Sequence, residues 1–222
     1  LGSLYNYLDY GKQRIDYSGL KEHTFRKVML SQIRKFRDER NALFKEELLP
    51  LFPENGLALV AMSDLSEEEK EEVMNYFDYT IYPMLTPMLY DQTHAFPILL
   101  AKSLIFAVVS DSHATHPLHP TNVDTRKLSF VQIPPNLPRF FTLRRGDTCA
   151  LLPIEQIVRD QIHKLYRNIE IISVDLFRIV RNGDFTLEES DDIEADFVDE
   201  IKQKIKSRRI GRVVRMEIED SF

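Results

Sequence analysis

The pattern of apolar residues is clearest between Ile169 and Glu219, where it predicts a strand, a helix and a second strand. Val174 to Asp184 is rich in apolar β-branched residues and ends in the turn-forming run Asn182-Gly183-Asp184. A four-residue spacing then predicts the buried face of a helix: Ile193, Phe197, Ile201 and Ile205. The last apolar residues alternate with charged ones, which predicts a half-buried strand: Val214, Met216 and Ile218. This unit is too short to fold alone.

A long helix is predicted near the start of the chain, from about Glu22 to Leu51. Its apolar residues fall near one face: Met29, Ile33, Phe36, Leu43, Phe44, Leu48 and Leu51. A long helix with a single apolar stripe belongs to a bundle or lies against a partner domain. Pro50 and Pro53 end it, and the run Glu54-Asn55-Gly56 is the expected domain boundary.

The next elements are a short strand from Leu57 to Ala61 and a helix. Ser66 and Glu69 have the spacing of a capping box, in which each side chain satisfies an unpaired amide at the helix start. The buried face of this helix is predicted to carry Val73, Phe77 and Ile81, and Pro83 and Pro87 end it.

The middle of the chain is predicted to be mainly β-structure. Leu104 to Val109 is apolar on both faces and therefore a central strand. Leu128 to Ile133 is a second strand, and Phe140 to Leu152 is a hairpin that turns at Arg145-Gly146-Asp147. Pro153 is expected at the first position of a helix that buries Ile154, Ile157, Val158, Ile162 and Leu165. The fold class is therefore α+β: a mixed sheet covered by helices, preceded by a long helix from an N-terminal helical bundle.

Composition and charge narrow the class of protein. The chain has 222 residues, of which 43% are apolar and 29% charged, as in ordinary soluble globular proteins. A net charge of −6 argues against a dedicated nucleic-acid binder. A single cysteine, Cys149, excludes an internal disulfide, and no apolar run could span a bilayer. Without a leader sequence we expect a cytoplasmic location, and the start at Leu1 suggests a piece of something longer.

Motifs of catalysis are absent, and we predict no catalytic, cofactor-binding or metal-binding residue. The sequence contains no phosphate loop, GxSxG, HExxH or CxxC. His113, His116 and His119 lie at three-residue spacing, with His94 further upstream. Prolines between them and the lack of a well-spaced acid or cysteine as a fourth ligand favour a polar loop over a zinc site. Cys149 is expected to behave as a small buried apolar residue.

Basic residues gather near the end of the chain, with seven between Lys202 and Arg215. They either complement the dipole of a solvated helix end or hold a polyanion, because clustered Lys and Arg neutralise phosphates. Two further arginines lie three apart in the preceding strand, so they point to opposite faces and at least one meets solvent, a partner or an anion. The candidate polyanion contacts are Arg178, Arg181, Arg208, Arg209 and Arg212.

Three segments resemble one known family in the same order and at sensible spacing. Residues 81–87 (IYPMLTP), followed by 94–97 (HAFP) and 102–104 (KSL), are similar to the run "yPxLTP … HPFP … SL" of the long, histidine-phosphorylated bacterial polyphosphate kinases. Residues 133–140 (IPPNLPRF) resemble their "vPpnlpRF", and residues 177–182 (FRIVRN) their "FRvTRna". The resemblance assigns residues 56–222 to the head, or middle, domain and residues 1–55 to the end of the helical N-terminal domain.

The resemblance implies a reversible transfer of the terminal phosphate of ATP onto polyphosphate through a phosphohistidine, with magnesium. The phosphorylated histidine, the arginine clusters and the phosphate-binding residues of the family belong to later domains, whose motifs are absent here. The family's nucleotide-binding "NLDEF" run is also missing, and Asn6 does not match it well enough to replace it. Ala95 stands for a proline of the family pattern, and Val180 for a threonine whose hydroxyl is therefore lost.

The chain is accordingly expected to be a non-catalytic portion of a polyphosphate kinase, inactive alone, that supports dimerisation and the catalytic domains. Its implied partners are the catalytic C-terminal domains of the same polypeptide, a second copy and polyphosphate, but not nucleic acid. ATP and Mg²⁺ are implied for the intact enzyme, with none bound in this chain, and the intact enzyme is expected in the cytoplasm with some membrane association. The alternative is a free-standing interaction or scaffold protein that kept the head fold without catalysis.

Overall fold

A computed structural model of the chain describes Gly19 and residues 22–90, 96–111, 126–182 and 211–219. The chain divides into two compact units. Unit 1 comprises Leu1–Pro50 and Ile179–Met216, and unit 2 comprises Leu51–Arg178 and Glu217–Phe222. The predicted helix through Ile193, Phe197, Ile201 and Ile205 lies outside the described residues, as do most of the predicted loop between Ser110 and Arg126 and the four histidines His94, His113, His116 and His119.

Unit 1 contains the long helix that the sequence predicts. Helix α1 spans Glu22–Ala42, and the chain continues through a wider π-helical turn at Leu43–Leu48. The predicted apolar stripe is largely open to solvent: Phe36 is 67% exposed, and Leu43, Phe44 and Leu48 are also exposed. Its apolar side chains therefore contribute little burial to this unit.

Two further α-helices are described: α2 (Glu67–Tyr76), which continues as a π-helical turn at Phe77–Ile81, and α3 (Ile154–Gln161). The strands, in chain order, are β1 (Leu57–Leu59), β2 (Pro87–Tyr90), β3 (Ile105–Asp111), β4 (Arg126–Gln132), β5 (Phe140–Arg145), β6 (Thr148–Pro153), β7 (Glu170–Arg181) and β8 (Val213–Ile218). The α+β class and the strands predicted from the sequence are confirmed, but the described strands form two sheets instead of one.

The smaller sheet has the order β1-β6-β5. β5 and β6 form the predicted antiparallel hairpin, whereas β1 pairs with β6 in parallel. The turn between β5 and β6 uses Gly146 at φ 61°. Gly56, at φ 67°, precedes β1, and a Cβ there would lie 3.3 Å from the carbonyl oxygen of Asp147. A glycine is therefore required both by the backbone conformation and by the close approach of the hairpin.

The larger sheet has the order β2-β4-β3-β7-β8, with β3 in the centre. Phe106 of β3 is aligned with Val131 of β4 and Leu176 of β7. Ile105, Phe106 and Val108 are fully buried, which confirms the prediction of a central strand apolar on both faces. β2 is not among the predicted elements, since Pro87 is expected only to end the preceding helix. β2 lies at the edge of the sheet, where proline is tolerated as the first residue because its missing N–H interrupts no hydrogen bond between strands.

The main core lies between α2, α3 and the sheets. Ser66 and Glu69 form the predicted capping box: the Ser66 amide donates to the Glu69 carboxylate, and the Glu69 amide donates to the Ser66 hydroxyl. Val73, Phe77 and Ile81 are fully buried in one apolar cluster with Phe106 and Val108. The predicted packing of this helix against the central strand is therefore confirmed.

One local prediction is wrong in detail, and the exposure of β8 is a further finding. Pro153 is not the first helical residue: it is the last residue of β6 and precedes α3 with an extended backbone (φ −61°, ψ 134°). In β8, Met216 and Ile218 are 56% and 63% exposed, whereas Glu217 is half-buried. The more apolar side of this half-buried strand is thus the more exposed one, because Glu217 on the other side is held by Arg178 of β7.

Candidate anion-binding site

The candidate arginines predicted from the sequence separate into differently placed groups. Arg178, near the end of β7, is exposed, as the sequence analysis expected for at least one of the two strand arginines. Its Nε donates to Oε2 of Glu217 at 2.8 Å, and its Nη2 donates to the same oxygen. A guanidinium fork that holds a carboxylate in this way has the geometry that also binds phosphate oxygens.

Arg181 has a different environment, within unit 1. Its Nη1 donates to the carbonyl oxygen of Gly211 at 2.8 Å, and its side chain is half-buried. The neighbouring amide of Asn182 donates to the carbonyl oxygen of Arg212 at 2.8 Å. Arg212 is exposed. Arg208 and Arg209 lie outside the described residues, so their part in the site stays a prediction.

Arg159 is a further arginine that sequence reasoning missed. It projects from α3, and its Nη1 donates to the carbonyl oxygen of Val174 at 3.1 Å. Its Nη2 donates to the carboxylate of Glu219, directly after β8. Its Cζ lies 5.4 Å from the centre of the Phe106 ring. The sequence carries only a weak signal for it, a single basic residue in the last turn of an amphipathic helix.

Arg159 and Arg178 therefore hold successive carboxylates on one side of β8. Glu217 and Glu219 are two residues apart, and side chains two apart in extended backbone point the same way. The amide of Glu219 also donates to the carbonyl oxygen of Leu176 at 2.9 Å, which continues the pairing with β7. At the end of β8, Glu219 and Glu217 thus accept hydrogen bonds from the guanidinium groups of Arg159 and Arg178.

An arginine of the predicted hairpin contacts the capping box at the start of α2. Arg145, in the hairpin turn, donates from Nε and Nη2 to the Glu69 carboxylate at 2.7 Å each and to the Asp64 carbonyl oxygen at 2.9 Å. The Arg145 hydrogen bonds, together with the Ser66 amide, lower the pKa of Glu69 from 4.5 to about 2. The arrangement joins the hairpin to the start of α2.

The segments that carried the family resemblance also have visible roles. Residues 81–87 run from the last residue of the π-helical turn Phe77–Ile81 to the first residue of β2. Arg139, in the IPPNLPRF segment, forms a double ion pair with Glu155 in the first turn of α3. The carbonyl oxygen of Arg139 accepts the Ile154 amide at 3.1 Å. These contacts connect the elements of unit 2.

Potential metal ligands are dispersed in the part of the chain that the structure describes. In the described ranges, no three His, Cys, Asp or Glu side chains converge as metal ligands do. Cys149 is a free, half-buried thiol in β6, less buried than the sequence analysis expected. Across the same part of the chain, no helix has the length and apolar character needed to cross a membrane.

Fold and site together define an α+β domain with two sheets and an arginine pair at its surface. The family described as "Polyphosphate kinase middle domain" matches residues 68–222. The chain therefore belongs to the polyphosphate kinase family through its middle domain.

Individual relatives agree with this assignment. The chain is 30% identical over 204 residues to a polyphosphate kinase of Streptomyces coelicolor, which covers 92% of this chain and 26% of that protein. It is 34% identical over 177 residues to a polyphosphate kinase of Bacillus cereus, covering 79% of this chain and 24% of that protein. The chain thus spans about a quarter of the length of the curated relatives it matches.

A solved structure gives the same fold. The crystal structure of polyphosphate kinase from Porphyromonas gingivalis superposes with a TM-score of 0.57 at 17% sequence identity. The superposition covers 68% of this chain and 25% of that one. At this level of identity the similarity establishes the fold alone.

Proposed function

We propose that this chain is a non-catalytic portion of a polyphosphate kinase that reversibly transfers the terminal phosphate of ATP to polyphosphate. The observation that carries the proposal is the family match over residues 68–222, combined with a span of about a quarter of the relatives' length. In this proposal residues 56–222 form the head domain, and residues 1–55 end the preceding helical domain. The exposed apolar stripe of α1 supports the second assignment, because a bundle helix buries such a stripe against neighbouring helices.

The head domain is proposed to support dimerisation and the catalytic domains. ATP and Mg²⁺ are proposed to bind other parts of the intact enzyme, as the family resemblance implies. Phosphoryl transfer needs cations and ligands arranged around the transferring group.

Labelling with ATP tests the non-catalytic role. The 222-residue chain is incubated with γ-labelled ATP and Mg²⁺, with a full-length polyphosphate kinase of a relative as the positive control. We expect acid-labile label on the control and none on this chain. Stable label on any of the six histidines of this chain would contradict the proposal.

Sedimentation of the same chain tests the proposed dimer contact. A head domain that supports dimerisation is expected to associate at micromolar concentration. A monomer at every concentration would remove this part of the proposal. If the open reading frame also stopped at Phe222, a free-standing scaffold would be the better description.

Polyphosphate is the proposed ligand of the basic cluster, with Arg178, Arg181, Arg208, Arg209 and Arg212 as contacts. The exposed guanidinium of Arg178 and the local excess of basic residues support this. Because phosphate contacts release counterions, binding should weaken steeply as salt rises. Titration of a polyphosphate of defined length at low and moderate salt tests the idea. Binding that ignores salt, or that R208Q/R209Q leaves unchanged, would refute it.

A further inference from the structure

The two arginine–glutamate pairs at the end of β8 occupy hydrogen-bond donors that a phosphate could use. Arg178 is one of the proposed polyphosphate contacts, yet its guanidinium fork is already used by Glu217. Arg159 is likewise used by Glu219. Carboxylate oxygens and phosphate oxygens accept the same charge-assisted hydrogen bonds from arginine. An anion that takes the Nε–Nη2 edge of Arg178, or the Nη2 donor that Arg159 gives to Glu219, therefore replaces an internal carboxylate.

Apolar packing does little to hold the end of β8 in place. Ile218, between the two acidic residues, is 63% exposed. The four charged side chains are each more than a quarter exposed, and ion pairs at such exposure contribute little to stability. Detaching Glu217 and Glu219 from their arginines is therefore expected to cost little.

Arg159 has contacts that do not depend on the strand end. Its Nη1 donates to the Val174 carbonyl oxygen, and its guanidinium lies over the Phe106 ring. Neither contact involves Glu219, so we expect both to remain when its carboxylate leaves. A cation that keeps its position after its partner departs is preorganised for another anion, which lowers the entropy cost of binding.

We propose that Arg159 and Arg178 form a subsite for a phosphate chain, and that Glu217 and Glu219 occupy it as an internal competitor. The end of β8 is then a strap that polyphosphate displaces. This inference rests on the proposed function for its ligand, and it adds Arg159 and a mode of regulation. The strap makes binding depend on the number of linked phosphates. A single phosphate gains little over a carboxylate, whereas a chain of phosphates engages both arginines together.

Binding of inorganic tripolyphosphate to the 222-residue chain, at fixed ionic strength, tests the competition. Removing both carboxylate charges with E217Q/E219Q should tighten binding by roughly threefold to tenfold, the range expected for losing two exposed ion pairs. The matched control is E71Q/E72Q on the exposed side of α2, which changes net charge equally. The control should change binding by less than about twofold, since exposed charges beyond a Debye length are screened.

Arginine variants locate the subsite. Adding R159Q to E217Q/E219Q should cancel the gain in affinity, whereas adding R167Q, at an exposed arginine, should not. An equal gain from E71Q/E72Q, or a gain that survives R159Q, would overturn the proposal.

Hydrogen exchange detects the displacement itself. The Glu219 amide donates to Leu176, and the Ile133 amide, which donates to the Leu104 carbonyl oxygen at 2.9 Å, is the internal control. Tripolyphosphate should speed exchange at Glu219 and leave Ile133 unchanged. Bound tripolyphosphate with unchanged or slower exchange at Glu219 would overturn the strap.

The failures of the two proposals can be distinguished. If the wild-type chain does not bind but E217Q/E219Q gains affinity through Arg159, the subsite stands and the proposed polyphosphate contact of the native chain fails. If the wild-type chain binds and only R208Q/R209Q weakens binding, that contact stands and the subsite fails.

Discussion

Replacement of Phe77 with alanine should destabilise unit 2 strongly. Phe77 is fully buried and shares its cluster with Val73, Ile81 and Phe106. Its ring centre lies 5.9 Å from that of Tyr82. Truncating a buried phenylalanine removes its transfer free energy and leaves a cavity, at a cost of about 3–5 kcal/mol.

A second variant separates the cavity contribution to this cost from that of a cation–π contact. Lys164 Nζ lies 5.4 Å from the Phe77 ring centre, a cation–π contact worth about 0.5–1 kcal/mol at a partly exposed site. Phe77→Leu keeps most of the volume, so it should cost less than about 2 kcal/mol, including the lost cation–π contact. The difference between the two variants then measures the cavity.

Urea unfolding followed by circular dichroism measures these changes, with the midpoint and slope fitted together. Phe36→Ala, at the exposed face of α1, is the control and should stay within about 0.5 kcal/mol. A Phe77→Ala cost below about 1 kcal/mol would mean that the helix does not pack on the sheet as described. Equal costs for the alanine and leucine variants would refute the cavity argument.

Two further predictions concern polar contacts. The lowered pKa of Glu69 implies stability that is fully present above about pH 4.5 and is lost as pH falls towards 2. Over this range the urea midpoint should therefore fall more steeply in wild type than in Glu69→Gln. Parallel curves for the two proteins would contradict the Arg145 contact. Ser129→Ala should cost about 1–3 kcal/mol, because the buried Tyr166 hydroxyl, 2.6 Å from the Ser129 hydroxyl, loses its partner. Adding Tyr166→Phe should recover part of that loss, and a double variant no more stable than Ser129→Ala would show that the hydrogen bond is unimportant.

Local features of the fold could be predicted from the sequence. The capping box of Ser66 and Glu69 depends on residues three apart, and the burial of Val73, Phe77 and Ile81 depends on the helical period. The β5–β6 hairpin follows from a turn signal between two apolar runs. These predictions succeed because the interactions that decide them lie within a few residues of chain. The family resemblance came from motifs that are likewise short and local.

Only the tertiary structure decided how distant elements meet. The parallel pairing of β1 with β6 joins Leu57 to Cys149, and no local pattern contains that partner. The same holds for Arg159, which is 60 residues from Glu219 along the chain.

The reversed exposure of β8 has the same origin. Alternation fixes which residues share a side of a strand, since side chains alternate with period two. It does not fix which side is covered, because that depends on neighbours contributed by other elements. Arg178 and Arg159 lie beside the acidic side of β8 and hold Glu217 and Glu219, while Ile218 remains exposed. The sequence by itself therefore determined the period of each element, and the tertiary structure determined its partners.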